Sequence, residues 1–215
     1  MKFLSTKLKA PRIISWPAPN RPDARMVDEV VATLRRGALV ILPTDTVYGV
    51  AAEPRAAERL FRVKRRPANK PIALLAADIR QIKVCRVELG VIGHALAKRY
   101  WPGALTMVLK TGAAWQGFRV PNHPVTQAIL KAFGGVLCVT SANLSGAKPA
   151  LTAAAAVAAL GSAVELVVDA GSAPGGVPST VVKIGYERCD VLREGAIPAA
   201  EIAAMMVSLS ANHPA

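Results

Sequence analysis

Lys64-Arg65-Arg66-Pro67-Ala68-Asn69-Lys70-Pro71 places four cations within seven residues, just ahead of the apolar run Ile72-Ala73-Leu74-Leu75. Such a cluster suits a polyanion: arginine offers a planar fork of donors to phosphate oxygens, and lysine supplies a compact charge. Pro67 and Pro71 stiffen the loop that presents them. A second polar cluster, Ser141-Ala142-Asn143-Leu144-Ser145-Gly146, follows directly on the apolar run Val136-Leu137-Cys138-Val139. A strand that runs into a hydroxyl and amide loop is where α/β proteins hold ligands. Ser141 and Asn143 can donate and accept hydrogen bonds there, and Gly146 lets the backbone turn tightly or approach a ligand closely. Taken singly, each cluster has a structural explanation: a solvated basic face for the first, helix capping for the second. Their joint presence in one chain favours a site for anions.

Rigid elements must carry both loops to one place. Met26, Val27, Val30, Val31 and Leu34 recur at helical spacing after Asp23, with Gly37 as the stop. The run 38–42 reads as a buried strand ending at Pro43, so the 44–49 loop leaves a strand's carboxyl end as the Ser141 loop does. Two loops of this kind imply one shared crevice. Further helices are expected over 56–63, 91–100, 124–133 and 152–160, the third with Pro124 in its first turn and the last between a Thr152 cap and Gly161. Strands are expected over 72–76, 105–110, 165–168, 180–184 and 190–192, and Pro198 opens a last helix. The alternation of both elements argues an α/β fold. Residues 1–22, with four prolines and no sustained periodicity, are expected to form an extended basic arm with Trp16 as its packing residue; 23–207 are the folded domain and 208–215 a tail.

At 215 residues and 52% hydrophobic content, the chain suits one domain with a substantial core and is too apolar for disorder. No run of about 18 uncharged apolar residues argues for a membrane span, and the start lacks the continuous apolar stretch of a secretory signal. The cytoplasm is the expected compartment. Cys85, Cys138 and Cys189 are widely spaced and suit buried thiols in a reducing compartment. No metal-ligand spacing links them to His94, His123 or His213, so no metal site of the protein's own is expected. The formal charge of +13 suits attraction to polyanions. Lys2, Lys7, Lys9, Arg12, Arg21 and Arg25 concentrate part of it near the start, against the single acid Asp23. Aromatic content is only 5%, and neither basic segment carries the interleaved stacking residues of a nucleic-acid platform.

The pattern Lys64-x-Arg66 followed by Ser141-x-Asn143 resembles the signature of the YrdC/Sua5/TsaC family, the L-threonylcarbamoyladenylate synthases of tRNA t6A modification. Further segments resemble that family in the same order: Pro43-Thr44-Asp45-Thr46-Val47-Tyr48-Gly49, Trp101-Pro102-Gly103-Ala104-Leu105-Thr106, Phe118-Arg119-Val120-Pro121-Asn122-His123-Pro124, Pro178-Ser179-Thr180-Val181-Val182 and Val191-Leu192-Arg193-Glu194-Gly195. Any one of them is a weak signal, but the ordered set is a strong one.

The resemblance implies a YrdC-like α/β fold: a twisted, open mixed sheet flanked by helices, with a large concave surface facing ligand or RNA. It implies a nucleotidyltransferase that joins L-threonine, bicarbonate and ATP into threonylcarbamoyl-AMP with release of pyrophosphate. Mg2+ would be carried by ATP, since the matched motifs contain no carboxylate pair for a dedicated site. By position, Lys64, Arg66, Ser141 and Asn143 would be the catalytic set; Lys64, Arg66 and Lys70 would engage the phosphates, Ser141 and Asn143 the nucleotide or reacting groups, and Arg193 would lie near the nucleotide. Thr46, Arg119 and Ser179 would hold threonine, Arg119 by pairing its fork with the carboxylate. A downstream tRNA threonylcarbamoyl-transferase complex is the implied partner, and direct contact with tRNA is left open.

Several of these residues have structural readings beside the functional ones. The Thr46 hydroxyl could satisfy turn backbone, Arg119 could be an internal ion-pair partner, and Arg193 beside Glu194 could be an exposed pair of little value. Trp101-Pro102-Gly103 reads as packing plus a helix stop. The chain has Leu75 where some relatives carry His, which leaves threonine recognition there to apolar or backbone groups. It ends soon after Arg193, as the short single-domain form does. Two other function classes stay open: a non-catalytic RNA-binding module, and a carbamoyl-transfer enzyme like the related domain of hydrogenase maturation proteins, although no Cys-pair motif accompanies it here.

Overall fold

A computed structural model of the chain describes residues 10–16 and 21–212. Among them the strands are β1 Arg12–Ser15, β2 Val40–Leu42, β3 Gly49–Ala52, β4 Ala73–Leu75, β5 Leu105–Thr111, β6 Ala114–Arg119, β7 Leu137–Ser141, β8 Leu166–Asp169, β9 Thr180–Ile184 and β10 Cys189–Arg193. The helices are α1 Ala24–Arg35, α2 Ala57–Lys64, α3 Ile79–Lys83, α4 Gly90–Tyr100, α5 Pro124–Phe133, α6 Ala153–Leu160 and α7 Ala199–Asn212. The strands join one open mixed sheet in the order β1-β8-β2-β3-β7-β4-β6-β5-β9-β10. None of the helices described is long and apolar enough to cross a membrane.

Local chemistry sets the first units. The Asp23 side chain accepts from Arg25 N at 2.8 Å and Met26 N at 3.1 Å, a cap worth about 1 kcal/mol in general. The stripe Val27, Val30, Val31 and Leu34 is buried, and Gly37, at φ +79°, takes the left-handed turn after the helix. The strand β2 follows with all three residues buried, and its sequence shows no alternation because both of its faces are covered. On one face α1 and α5 pack Val30, Leu34, Ile129 and Leu130 against Val40, Leu42, Ala51 and Leu137. On the other, α2 and α6 pack Leu60, Ala156 and Leu160 against Ile41, Val50, Ala52 and Val167.

The far half of the sheet is covered differently. Leu105, Met107, Leu109, Phe118, Val182 and Ile184 point to one face and pack with α4 and α7 through Leu96, Tyr100 and Ile202. Successive strand residues face opposite ways, so Thr106, Val108, Gly117, Arg119, Val181 and Lys183 must line the other face. The register continues that row through Ala73 to Val139 and Ser141, and across to Gly49. That face belongs to the side that α1 and α5 cover at the other end. Beyond them no helix among the described residues lines it, and a cleft of about 490 Å³ opens on a floor of small residues.

Some elements lie outside what periodicity predicts. The stretch Gly49–Ala52, of which only Gly49 was read, as the end of a loop, is the central strand β3, although glycine and alanine are poor strand formers; burial between β2 and β7 decides. The strand β6, with Gly117 inside it, and the five-residue α3 had no periodic signal either. In the described part of the expected extended arm, Arg12–Ser15 pairs in parallel with β8 as a strand of the sheet, and Trp16, its expected packing residue, is 2% exposed in the core. Lys2, Lys7 and Lys9 lie outside the described residues, as does His213. The expected tail is also revised, since α7 continues to Asn212.

Candidate active site

The end of α2 builds the basic wall. Arg65 closes the helix in the left-handed region at φ 49°, uncommon for a residue with a side chain, and Arg66 N reaches back to Phe61 O at 2.9 Å. That reversal turns Arg66 toward the cleft. Its Nε donates to Lys70 O and its Nη2 to Pro71 O, both at 2.8 Å, so the proline-stiffened loop holds the guanidinium with its own carbonyls. Lys70, expected among the phosphate ligands, is exposed and does not line the cleft; its carbonyl holds Arg66.

Lys64 also departs from expectation. Only 1% exposed, it does not line the cleft, and its ammonium donates to Ser141 O and to Asn143 O. The amide of Ser145 returns a bond to Lys64 O at 3.0 Å. Lys64 therefore fastens the end of α2 to the loop after β7. Burial, with Arg66 nearby, pulls its pKa down to about 8. In this arrangement Lys64 positions the loop that carries Ser141 and Asn143.

Asn143 donates through Nδ2 to Leu144 O and Ala147 O, both at 2.8 Å. These two bonds fix the amide's orientation and leave Oδ1 as a buried acceptor without a partner. An acceptor so placed is costly unless a ligand donates to it. Ser141 stands beside it, opposite Gly49 in the register. A Cβ on Gly49 would lie 2.7 Å from Val139 Cγ1, so glycine there keeps the floor low and the strands packed.

At the other end Arg119 is almost wholly enclosed. Its Nε donates to Gly103 O at 2.9 Å, Nη1 to Thr46 Oγ1 at 2.9 Å and Nη2 to Asp45 Oδ1 at 2.6 Å. The Thr44 hydroxyl donates to Val47 O at 2.6 Å, so in the 3.0 Å contact between the two threonines it is Thr46 that donates. Thr46 thus serves the turn and Arg119 the ion pair, and both still line the cleft. Gly175 closes behind this turn, where a Cβ would meet Asp45 O at 2.5 Å. Gly103 belongs to the segment read as packing and helix stop, and it adds an orienting carbonyl for Arg119.

Ser179 Oγ contacts Thr106 Oγ1 at 2.8 Å, and Arg193 donates to Ser179 O at 2.7 Å. Burial lowers the Arg193 pKa, and the positive charges of Arg119 and then Arg66 lower it further. Arg193 thus feels both other guanidiniums of the cleft, and Asp45 is the one carboxylate bonded to any of the three among the described residues. A low-dielectric cleft with such a surplus attracts anions.

Thr46, Arg66, Arg119, Ser141, Asn143, Ser179 and Arg193 all line this one cleft. Lys64 lies behind it and Lys70 outside. Asp45 was within reach of sequence reasoning, since it stands in the quoted 43–49 motif, but an acid between two threonines gives no sign that it faces an arginine 74 positions away. His123 is buried, with Nδ1 unpartnered; burial lowers its pKa, and the nearby Asp45 charge opposes that shift.

Comparison with known proteins agrees on the family. A family model named for Sua5, YciO and YrdC, and described as telomere recombination, matches residues 32–195. A threonylcarbamoyl-AMP synthase of Pyrococcus abyssi is 34% identical over 183 residues, covering 79% of this chain and 54% of the relative, so the chain spans about half of that protein's length. One from Xanthomonas campestris pv. campestris is 36% identical over 166 residues, covering 70% of this chain and 87% of the relative. The crystal structure of P. abyssi Sua5 complexed with L-threonine superposes with a TM-score of 0.82 at 29% identity, covering 89% of this chain and 60% of that one.

Proposed function

The chain belongs to the Sua5/YciO/YrdC family, and from that membership we propose that it is an L-threonylcarbamoyladenylate synthase, a nucleotidyltransferase acting on L-threonine, bicarbonate and ATP. The observation that carries this reading is the convergence of Arg66, Arg119 and Arg193 with Ser141, Asn143 and Ser179 on one uncovered sheet face.

The reaction needs little covalent help from a protein. Bicarbonate takes up a proton and loses water to give carbon dioxide, the neutral threonine amine adds to that carbon and gives up a proton, and an oxygen of the resulting carbamate attacks the α-phosphorus. The α–β phosphoanhydride bond breaks and pyrophosphate leaves. Two anions must be held together against their repulsion, in line, and away from water. Arg66, with two of its N–H groups anchored on loop carbonyls, presents the rest of its fork to the polyphosphate, and Arg193 adds a second cation there. The fixed Asn143 Oδ1 accepts from a donor on the nucleotide, and Ser141 binds beside it. Lys64 holds both in place.

Threonine takes the other end. Three of the five N–H groups of Arg119 are bonded internally, and the remaining two suit a carboxylate. Asp45 keeps that guanidinium oriented, and Ser179 and Thr46 flank it. Mg2+ enters as part of the ATP substrate: Asp45 is committed to Arg119, and no cluster of metal-ligating side chains occurs among the described residues. The product is destined for a tRNA threonylcarbamoyl-transferase complex, in the cytoplasm.

The test is pyrophosphate release from ATP with each substrate omitted in turn. This reading requires dependence on both threonine and bicarbonate. Saturable, salt-sensitive tRNA binding with no pyrophosphate release would instead favour the RNA-binding module.

A further inference from the structure

The link between β8 and β9 crosses almost the whole sheet. Between those two strands stand β2, β3, β7, β4, β6 and β5, so seven strand spacings separate them, roughly 34 Å along the sheet. Eleven Cα steps lead from Asp169 to Thr180, and a chain of that length reaches about 36–40 Å when fully extended. The coiling of a twisted sheet shortens the path, and the left-handed turns at Gly171 and Gly176 shorten the chain. The link therefore lies across the strand ends as a strap with little slack.

Its course passes the end of the cleft assigned to threonine. Gly175 lies against the Asp45–Thr46 turn: a Cβ there would stand 3.2 Å from Thr46 Cα as well as meeting Asp45 O. Pro178 and Ser179, where the strap ends, line the cleft. That far end is held by Ala196 N, which donates to Pro178 O at 2.9 Å, and by Arg193, which donates to Ser179 O. The near end is held by a side chain. The Tyr48 hydroxyl donates to Gly171 O at 2.6 Å and accepts from Ala170 N at 3.2 Å. Tyr48 is fully buried, and burial pushes its pKa up to about 12, so the hydroxyl keeps the proton it donates. Its backbone N–H donates to Ala150 O and its carbonyl accepts from Ala142 N, which fixes the base of the ring to the segment after β7. Phenylalanine would fill the same space in the core, so what the hydroxyl adds is its two bonds to the strap.

Resting on the threonine reading of this end, we propose that Tyr48 is a positioning residue for threonine, acting by anchoring the 170–178 strap behind the Asp45–Thr46 turn that orients Arg119. A strap without slack carries the loss of an anchor along its length. Freed at Ala170 and Gly171, it shifts where Gly175 meets the turn, and Asp45 and Thr46 hold two of the three internally bonded N–H groups of Arg119. Arg66 is held by other means, the carbonyls of its own loop, and stays as it is.

The test is steady-state pyrophosphate release by the full chain, with binding of inorganic tripolyphosphate measured beside it by calorimetric titration. Tyr48→Phe is expected to raise the threonine KM about five- to ten-fold, the equivalent of one lost hydrogen bond. At saturating threonine kcat should stay near the wild-type value, as for a contact made equally before and during reaction. Tripolyphosphate affinity should be unchanged, which also shows that the variant is folded. Inserting two glycines between Gly176 and Val177, in the exposed part of the strap, supplies slack and keeps the hydroxyl, and it should raise the threonine KM likewise. A Tyr48→Phe protein with a lower urea midpoint but a wild-type threonine KM would make the hydroxyl structural only and overturn the proposal. Equal losses for threonine and tripolyphosphate, or an insertion without effect on the threonine KM, would overturn it too. All three outcomes leave the synthase reading intact, because wild type still releases pyrophosphate in response to threonine. Wild type without that response would overturn the reading, and this proposal with it.

Discussion

Replacing Lys64 by methionine separates a residue that touches substrate from one that builds the site. Methionine keeps the length of the stem and lacks the donors. The carbonyls of Ser141 and Asn143 would then be left in a buried place without the ammonium they now share. An unsatisfied buried acceptor costs about 1–3 kcal/mol. Against that, the variant no longer desolvates a charge, the penalty that holds the lysine pKa near 8. A net loss of about 2 kcal/mol is expected, read as a lower urea midpoint at unchanged slope. Turnover should fall because the Ser141–Asn143 loop loses its fastening, whereas tripolyphosphate affinity should stay within about three-fold, since no phosphate contact is removed. Arg66→Ala should give the opposite pattern: a stability change of about 0.5 kcal/mol, as for loss of exposed bonds, with tripolyphosphate affinity down about ten-fold. A Lys64→Met protein as stable as wild type, but as defective in tripolyphosphate binding as Arg66→Ala, would refute the positioning role.

The depressed Lys64 pKa has a signed consequence. The folded state disfavours the ammonium, so between about pH 8 and the ordinary lysine value of 10.5 the unfolded chain binds more protons and stability rises with pH. Wild type should gain up to about 3 kcal/mol relative to Lys64→Met across that window, and parallel stability curves would contradict it. Arg119→Ala strands the Asp45 carboxylate in a nearly buried place and should cost about 3–5 kcal/mol in chemical denaturation; Arg119→Lys should recover part of the stability, with threonine KM still raised, because an ammonium lacks the fork. Trp16→Ala should destabilise by about 3–5 kcal/mol, as a large core truncation does, and an unchanged melting temperature would show that β1 is dispensable.

How much of this was legible in the residues differs from element to element. The helix α1 announced itself through Asp23, its apolar stripe and Gly37, because each of those signals is local. The strands β3 and β6 did not, since glycines and alanines take strand conformation here only through neighbours far away in sequence. The same distinction runs through the site. Residue type pointed to Arg66, Ser141 and Asn143, the family resemblance added Arg119, Ser179 and Arg193, and the fold brings them to one cleft. What type and order could not give was direction. Lys64 faces two carbonyls 77 and 79 positions away, and Asp45 occupies Arg119 from 74 positions away. The one-residue slip in β10 that lets Leu192 and Arg193 both line the cleft is likewise encoded by no propensity.

The central claim is that the cleft joins a carbamate of threonine to the α-phosphate of ATP. Its most direct test is to incubate the protein with ATP, L-threonine and 13C-bicarbonate and to identify the nucleotide product by mass. The account predicts an AMP adduct carrying threonine and one labelled carbon, formed in equal amount with pyrophosphate and absent when threonine is withheld. Release of ADP and phosphate, or of AMP and pyrophosphate without the labelled adduct and regardless of threonine, would contradict it.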